Sequence, residues 1–492
     1  MSKRIAIALG SPRRAKSISR MAALYFARFL DFDYEVVDLA RLKLPASPDE
    51  PCAPGLDAAL EKLRASDAVV WAFGGWTWFV PHPIHRLFER LFATDGPSFE
   101  GKLAAAVMTS GGVGDDTMLA RLRFACEQLG FGYLGDVSGV ASPIVGYEGD
   151  TAEAFEASCR VLAGQLNRAL EKGFVPSKAH DPVERRFLSP LCRGHAFPVD
   201  GPSARKTGKR TIMVVTGNRL SDDASATGLV ESLRRYSVNS VEVVELADRT
   251  VRPCSGCFLC AFREAGVCVI KDDFDAIYRR LHEVDGIVYA GTSSCGLVDA
   301  RIKVFLDRCW GIAHRPSLGG KHGMTFASGG GPLDLGSASY LHAILTKTGT
   351  RCLPAISQGS ADATSFAATV RQAVEDLDRA MEEGWPNLER HDARAQRWAF
   401  RDVAAARGMV LKADYTFHRR NRMFDAPSPG GGNAILRWMF TSDALQKKML
   451  KKVVSEGEQA REKRLADYLA RGGTLGKGKD LGSPLAGEAE ED

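Results

Sequence analysis

Four cysteines lie close together near the middle of the chain. They are Cys254, Cys257, Cys260 and Cys268, with the spacing C-x2-C-x2-C-x7-C. Thiols at such tight spacing can converge on one small centre from a single loop, and thiolates select zinc or iron–sulfur. Zinc sites more often use two C-x2-C pairs across a longer stretch, whereas this spacing is closer to that of [4Fe–4S] ligands. The spacing therefore favours an iron–sulfur cluster, with structural zinc or no metal as the alternatives.

A polar loop follows the first apolar run of the chain. The residues in it that can contact an anion are Gly10, Ser11, Arg13, Ser17 and Ser19. In a parallel α/β sheet, a loop between the first strand and the first helix lies at the carboxyl edge of the sheet. Backbone N–H groups and the positive end of the helix bind phosphate at that place. The loop predicts a phosphate site, and a capped β–α turn without a ligand is the alternative.

Two further loops follow the third and fourth predicted strands of the first half. The first of them contains Gly75, Trp76, Thr77 and Trp78, and the second contains Ser110, Gly111 and Gly112. Packing in the core or at an interface is the alternative for the two tryptophans. A turn without a ligand is the alternative for the glycines.

These three loops resemble those of the NADPH-dependent FMN reductase family. The segment 10–19 resembles the G-S-x-R-x-x-S-x-S/T loop that holds the FMN phosphate in that family, with three residues instead of two between Arg13 and Ser17. The resemblance implies that Trp76, Trp78 and Phe79 flank the planar flavin ring, where stacking adds about 1 kcal/mol per aromatic side chain. It also implies that the backbone of 110–112 contacts the polar edge of the flavin. Gly75 stands where the second loop of the family has a proline.

The second half resembles the same family at two of its three loops. Its candidate flavin-binding residues are Thr292, Ser293, Ser294, Ser328, Gly329 and Gly330. Lys303, Asp307 and Arg308 form a K-x-F-x-D-R segment that is close to the family pattern. In the first loop of this half, the acidic pair 222–223 would repel a phosphate.

The cysteines and the Asp272-Asp273 pair that follows them resemble the iron–sulfur flavoprotein branch of this family. That resemblance covers roughly residues 210–385. Together with the loops of the first half, it implies two tandem copies of the family domain.

Short apolar runs alternate with helical segments in both halves, five in each, and these elements must position the loops. The pattern predicts an α/β fold with two tandem flavodoxin-like, doubly wound, parallel five-stranded sheets and a C-terminal helical extension. The predicted segments are a flavodoxin-like FMN-binding domain at 1–175, a linker at 176–209, a flavodoxin-like domain with the four-cysteine motif at 210–388, a helical extension at 389–475 and a disordered tail at 476–492.

Composition limits the classes of function. The 492 residues are 45% hydrophobic and 25% charged, which is typical of globular proteins. The net charge of +5 is too small to indicate nucleic-acid binding, and no apolar run is long enough to span a membrane. We therefore expect a cytoplasmic protein. A basic amphipathic stretch at 436–454 is expected to pack on the domains, with peripheral membrane contact as the alternative.

Together these features predict an FMN-dependent NAD(P)H oxidoreductase. Electrons would pass from reduced nicotinamide through FMN to a [4Fe–4S] cluster or to a small-molecule acceptor. No catalytic acid or base is identified. The two domains would form an intramolecular pseudo-dimer, or the chain a homodimer. The alternative is a non-catalytic electron-transfer or scaffold protein with one or both flavin sites degenerate. The electron donor, the final acceptor and the domain that holds FMN stay open.

Overall fold

The structure is a computed structural model. It describes residues 3–13, 17–42, 44, 54–94, 99–141, 149–262, 268–309, 314–386, 411–423 and 443–481, and the single positions 395, 398, 400, 401 and 404. The chain forms two compact units. Unit 1 consists of Met1–Val183 and Gln446–Asp492, and unit 2 is Glu184–Leu445. The predicted segment boundaries stay predictions.

Unit 1 alternates strands and helices. Its elements before residue 183 are β1 (Arg4–Leu9), α1 (Ile18–Ala27), β2 (Asp33–Asp38), α2 (Pro54–Ala65), β3 (Ala68–Gly74), α3 (His82–Thr94), β4 (Leu103–Ser110), α4 (Asp115–Gln128), β5 (Gly132–Val140) and α5 (Gly149–Lys172), with a 3-10 turn at Leu39–Arg41. The described strands are all parallel in the order β2-β1-β3-β4-β5. Because the order reverses between β1 and β3, the loops after β1, β3 and β4 lie side by side at the carboxyl edge.

Unit 2 has more and shorter elements. They are α6 (Arg185–Leu188), β6 (Thr211–Thr216), α7 (Ala224–Tyr236), β7 (Ser240–Glu245), α8 (Leu259–Phe262), α9 (Phe274–Glu283), β8 (Gly286–Ser294), β9 (Leu297–Val298), α10 (Ala300–Arg308), β10 (His322–Ser328), α11 (Asp334–Lys347), β11 (Arg351–Cys352), β12 (Ile356–Ser357), α12 (Ala363–Glu383) and α13 (Lys412–Arg420), with 3-10 turns at Leu220–Asp222 and Leu246–Asp248. A last helix, α14 (Asp443–Ala470), begins in unit 2 and continues in unit 1.

The second sheet follows the same winding order as the first. Its main path is β7-β6-β8-β10-β11, while β12 also pairs with β10 and β9 pairs antiparallel with β8. The predicted α/β class with two parallel sheets is confirmed. The second sheet has seven strands, however, and not the predicted five. Pro354 cannot donate to the ladder, so it separates β11 from β12. The chain also turns back after β8 at Cys295 and Gly296, both of which have positive φ, and thereby forms β9.

The C-terminal part of unit 1 packs on α1 and α5 and bonds the edge strand β2. In α14, Arg464 contacts the buried Glu156, which also accepts a hydrogen bond from Tyr25. Beyond this helix, Tyr34 N donates to Lys479 O and Leu481 N donates to Tyr34 O, both at 2.9 Å. These bonds cover the edge of β2, which would otherwise present unpaired backbone groups.

Two predicted features fall partly outside the described residues. Residues 476–481 of the predicted disordered tail are described and bound beside β2, whereas 482–492 lie outside. The predicted amphipathic stretch begins outside as well, and its later part lies in α14. In the described part of the chain, no helix is long and apolar enough to cross a membrane.

Candidate functional site

The loop after β1 ends at the N-terminus of α1. The buried hydroxyl of Ser17 caps this helix by accepting a hydrogen bond from Arg20 N at 3.1 Å. Ser11 is also buried, and its hydroxyl accepts from Arg13 N at 3.4 Å. Residues 14–16 lie outside the described part. A capped helix start with nearby hydroxyls and an arginine is the arrangement that binds phosphate.

Two other residues of this loop have structural contacts. The hydroxyl of Ser19 lies 2.9 Å from that of Thr109 and ties α1 to the end of β4. Gly10 N donates to Ala72 O at 2.9 Å. A β-carbon built at Gly10 would lie 2.4 Å from Ile84 Cδ1, so a larger residue would displace the Ile84 side chain of α3. These two residues therefore hold the loop in place.

The loop after β3 is a tight turn. Trp76 N donates to Phe79 O and Phe79 N donates to Trp76 O, each at 3.0 Å. Between them Thr77 and Trp78 have φ values of 41° and 56°, in the left-handed region that a type I′ turn requires. Such conformations cost about 1–3 kcal/mol each and are concentrated at functional sites. Phe79, which is also predicted to flank the flavin ring, is buried in the core instead. Trp76 and Trp78 remain partly exposed at the sheet edge.

The loop after β4 is fastened to this turn but stays open. A β-carbon at Gly114 would lie 2.6 Å from Trp78 Cδ1, so the indole packs directly on the start of α4. Arg121 Nη1 donates to Trp78 O at 3.1 Å. Gly111 and Gly112 are exposed, and no described atom lies within 4 Å of a β-carbon at either. Unit 1 thus presents an aromatic side chain beside an accessible glycine backbone.

In unit 2 a carboxylate occupies the corresponding helix start. Asp223 caps α7 by accepting from Ala226 N at 3.0 Å, and it is buried. The hydroxyls of Thr292 and Ser328 donate to its Oδ2 at 2.8 and 3.3 Å. Asn218 Nδ2 in turn donates to Thr292 Oγ1 at 2.7 Å. A carboxylate therefore caps this helix, where the corresponding helix of unit 1 is capped by the hydroxyl of Ser17.

The chain itself covers the rest of this edge. We call residues 185–197 the covering segment. Cys295 N donates to Leu188 O and Cys192 Sγ donates to Gly329 O, both at 2.9 Å. A β-carbon at Gly330 would lie 3.0 Å from His195 Nε2. The covering segment therefore contacts both loops that were predicted to bind flavin in this unit.

The remaining candidate residues of unit 2 are buried under or beside the covering segment. His195 N donates to Gln358 Oε1 at 2.8 Å, which holds the segment to the residue after β12. Ser293 Oγ lies 2.7 Å from Ser337 Oγ. Buried residues of this group are Thr292, Ser293, Ser294 and Ser328. In the described conformation their side chains bond within the protein.

A buried ion pair closes the base of the cysteine loop, residues 252–272. Arg308 Nη1 lies 2.5 Å from Asp272 Oδ2 and 3.2 Å from Arg252 O, and Nη2 donates to Ile270 O at 3.1 Å. Burial alone would raise the pKa of Asp272, but the hydrogen bonds from Arg308 and the backbone outweigh burial and lower it. The carboxylate is therefore held ionised, and the two ends of the loop stay together.

The four cysteines of this loop lie in one neighbourhood. Gly256 and Phe258, with φ of 69° and 59°, turn the chain between them. Burial raises the pKa of the Cys260 thiol to about 12, and the Cys257 and Cys268 thiols add to the rise while Arg315 opposes it. Burial also raises the pKa of the Cys254 thiol, with contributions from Cys260 and Cys257.

The case that these four cysteines could bind a metal rests on the chemistry of their thiols. Four soft thiols in one loop suit an iron–sulfur cluster or zinc. Across the described residues, no group of three or more His, Cys, Asp or Glu side chains is arranged so that it could hold a metal ion. The four thiols would therefore have to move together to bind a metal.

A second buried ion pair lies next to this loop. Arg315 Nη1 lies 2.7 Å from Asp414 Oδ1 and donates to Cys260 O at 3.1 Å. Asp414 belongs to α13, which packs against α8, and α8 carries Cys260. His314 Nδ1 lies 3.3 Å from the other carboxylate oxygen. The helix from the predicted C-terminal extension is thus connected to the cysteine loop.

Residues 3–142 match the NADPH-dependent FMN reductase family. This FMN reductase region contains β1 to β5 and all three loops of the unit 1 edge. The predicted second copy of the family domain stays a prediction, although both sheets have the same winding order.

Among curated proteins, the relatives are iron–sulfur flavoproteins. One from Archaeoglobus fulgidus is 33% identical over 112 residues, which is 22% of this chain and 49% of the relative. One from Methanocaldococcus jannaschii is 35% identical over 99 residues, which is 20% of this chain and 50% of the relative. The chain therefore spans about half the length of these curated relatives. A solved NAD(P)H:quinone oxidoreductase from Methanothermobacter marburgensis has 18% identity and a TM-score of 0.27, and it covers 37% of this chain and 100% of its own.

Outside the FMN reductase region, sequence reasoning missed three features. The sequence pattern predicts Arg308 in a helix beside the flavin, whereas the structure shows that it closes the cysteine loop. Arg315 and Asp414 are 99 positions apart, and neither lies in a motif. The covering segment lies in the predicted linker, where the absence of periodicity gave no signal for its contacts.

Proposed function

We propose that this chain is an FMN-dependent NAD(P)H oxidoreductase that binds one FMN in unit 1. The observation that carries the proposal is the convergence of three loops at the carboxyl edge of β1, β3 and β4. Together these loops offer a capped helix start, partly exposed aromatic side chains and an open pair of glycines. The match of residues 3–142 to the FMN reductase family supports the same site.

Each part of this edge has a role in positioning the flavin. The N-terminus of α1, with Ser11 and Arg13, would bind the phosphate. Trp76 and Trp78 would pack against the ring, and the backbone of 110–112 would contact its polar edge. FMN, when bound, accepts hydride from reduced nicotinamide and can pass electrons on singly. The contribution of the protein is orientation and exclusion of water, so no acid–base residue is assigned.

Unit 2 would hold no flavin. Asp223 places a carboxylate where the phosphate of a second FMN would lie, and the covering segment occupies the loops beside it. The candidates Thr292, Ser293, Ser294, Ser328, Gly329 and Gly330 would then hold the covering segment in place of a cofactor. This observation favours the second candidate function, a scaffold without flavin, for unit 2 alone.

The electron acceptor of the flavin would be a [4Fe–4S] cluster held by Cys254, Cys257, Cys260 and Cys268. Its support is the cysteine spacing, the closed loop and the similarity to iron–sulfur flavoproteins. Zinc in the same loop, or direct reduction of a small acceptor by the flavin, would be the competing outcomes. Reduced thiols are maintained in a reducing compartment, so the proposal includes a cytoplasmic location. The role of the two units as an intramolecular pseudo-dimer stays a prediction.

The first test is the cofactor content of anaerobically purified protein. We expect about one FMN and about four iron atoms per chain, the latter for one [4Fe–4S] cluster. Ser11→Asp adds a negative charge to the proposed phosphate site and is expected to abolish FMN binding. The control Ser221→Asp adds the same charge to the exposed first loop of unit 2 and is expected to leave FMN binding unchanged. Colourless protein that does not bind added FMN would contradict the oxidoreductase proposal. Two FMN molecules per chain would contradict the assignment to unit 1 alone.

The second test addresses the cysteines. Cys257→Ala is expected to abolish iron and sulfide binding while FMN binding persists. Cys352→Ala removes a buried thiol outside the cysteine loop and serves as the matched control. Unchanged iron in the Cys257 variant would contradict the proposed ligand set, and stoichiometric zinc in place of iron would favour a structural metal.

A further inference from the structure

We propose that Arg315 is a positioning residue that raises the reduction potential of the cluster. This inference rests on the proposed function, because it assigns Arg315 a role toward the cluster at the four cysteines. Asp414, from α13, would hold the guanidinium so that one of its amino groups can donate to a cluster sulfur.

The first observation is a buried hydrogen-bond donor. The Arg315 side chain is 1% exposed, and its Nη2 group has no hydrogen-bond partner among the described residues. An unsatisfied buried donor costs about 1–3 kcal/mol, and more when it is charged. The other amino group donates to the carbonyl oxygen of Cys260 at 3.1 Å, so the unsatisfied one lies beside a predicted ligand. A sulfur of a cluster held by this loop would supply the missing acceptor.

The second observation is how the guanidinium is held. Asp414 is fully buried and lies 2.7 Å from Arg315 Nη1. Its other oxygen faces His314 Nδ1 at 3.3 Å, and His418 Nε2 contacts His314 O at 3.0 Å. These contacts join α13, which carries Asp414 and His418, to residues 314 and 315, which lie between α10 and β10. The helix would therefore hold the Arg315 charge in position next to the cysteine loop.

The effect on the cluster follows from electrostatics. Reduction adds an electron, and a fixed positive charge with an N–H donor stabilises the added negative charge. Groups that bond to a metal ligand without binding the metal tune its potential in the same way. Asp414, as a buried negative charge nearby, would act in the opposite direction. The two residues should thus have opposite effects on the potential, which a purely structural ion pair would not have.

The test uses full-length protein purified without oxygen. Iron per chain and the cluster potential, from a spectroscopic redox titration, are measured for Arg315→Gln, Arg315→Lys and Asp414→Asn. We expect full iron in all three. Arg315→Gln should lower the reduced-to-oxidised ratio at fixed potential at least tenfold, which is about 59 mV for one electron. Arg315→Lys keeps the charge and should lower this ratio less. Asp414→Asn should raise the ratio. Arg249→Gln removes an exposed charge and should leave the ratio unchanged.

The outcomes separate this inference from the proposed function. Full iron with an unchanged potential in Arg315→Gln would overturn the role of Arg315 and leave the cluster standing. Shifts of the same sign in Arg315→Gln and Asp414→Asn would show that the pair only supports the fold. Wild-type protein without iron would overturn both the cluster and this inference. If Arg315→Gln does not fold, Arg315→Lys and Asp414→Asn provide the test. A cluster potential equal to that of wild type in both of these variants would refute the proposed role.

Discussion

Arg308 and Asp272 form a buried ion pair of 2.5 Å that joins the end of α10 to the start of α9. The same guanidinium bonds the backbone on both sides of the cysteine loop, at Arg252 and Ile270. One side chain therefore sets the distance between the two ends of a loop of about twenty residues. Long loops lose entropy on closure, so a fixed base favours the convergence of the four thiols.

Removal of the Arg308 charge should open this loop. Arg308→Gln leaves the buried Asp272 carboxylate with only the exposed Arg252, at 3.6 Å, as a charged partner, and loss of a buried ion pair costs up to about 3–5 kcal/mol. We expect a lower unfolding midpoint in urea and less than half of the wild-type iron per chain. Arg279→Gln, an exposed position on α9, is the control and should match wild type. Wild-type iron content in Arg308→Gln would show that the thiols converge without this clamp.

Glu127 predicts a pH dependence for unit 1. Burial alone would raise the pKa of this carboxyl, but hydrogen bonds from Arg123, the His180 ring and two backbone N–H groups outweigh burial and lower it. A lowered pKa means that the carboxylate stabilises the fold above its unfolded pKa of about 4.3 and that this stabilisation is lost as pH falls through the lower folded pKa. Glu127→Gln should cost about 1–3 kcal/mol at pH 7.

The difference between wild type and this variant should shrink as pH falls below about 4.3, because the unfolded chain binds a proton there first and the folded carboxyl follows only at its lower pKa. Thermal unfolding from pH 2 to 7 measures it. Glu171→Gln, an exposed position on α5, provides the reference. A difference that stays constant over this range would contradict the role of the ionised carboxylate.

Gly114 should control the position of Trp78 at the flavin edge. It has φ of 80°, and a β-carbon would lie 2.6 Å from the indole. Gly114→Ala therefore both strains the backbone and displaces Trp78. We expect the dissociation constant for FMN to rise about tenfold, which corresponds to about 1.4 kcal/mol.

Gly101→Ala is the matched control for this change. Gly101 has φ of 76° and no described atom near its β-carbon position, so it reports the cost of backbone strain alone. Both variants should lose about 1–2 kcal/mol of folding stability. Fluorescence titration with FMN separates the two effects, and equal affinities in both variants would argue against a role of Trp78 in flavin binding.

The covering segment should be released by a small change on its contact surface. A β-carbon at Gly331 would lie 2.2 Å from Phe187 Cδ1, so Gly331→Ala should displace Phe187. We expect faster hydrogen exchange across 185–197 and faster alkylation of Cys192. Gly336→Ala, where a β-carbon meets no described atom, should leave both rates unchanged.

Release of this segment should not create a second flavin site. Asp223 stays at the start of α7 and still repels phosphate. Flavin content in Gly331→Ala should therefore stay at one per chain. A second bound FMN would show that the covering segment, and not the Asp223 charge, excludes flavin from unit 2.

The sequence by itself determined the α/β class, the parallel sheets and the places of the loops. Strands such as β3 and β4 are continuous apolar runs, because both faces of a parallel sheet are covered, and such runs are visible over a few residues. The helix cap at Ser17 and the cysteine spacing are equally local. Short-range patterns of this kind can be recognised in the sequence without knowing which distant residues they contact.

Only the tertiary structure decided which side chains meet. Ser19 bonds Thr109, Arg308 pairs with Asp272, and Arg315 meets a carboxylate 99 positions away. The covering segment has no periodicity, because it is held by scattered contacts to loops and not by a repeating face. Each of these residues had several chemically equivalent partners in the sequence, and the choice among them depends on distance and burial in the folded chain.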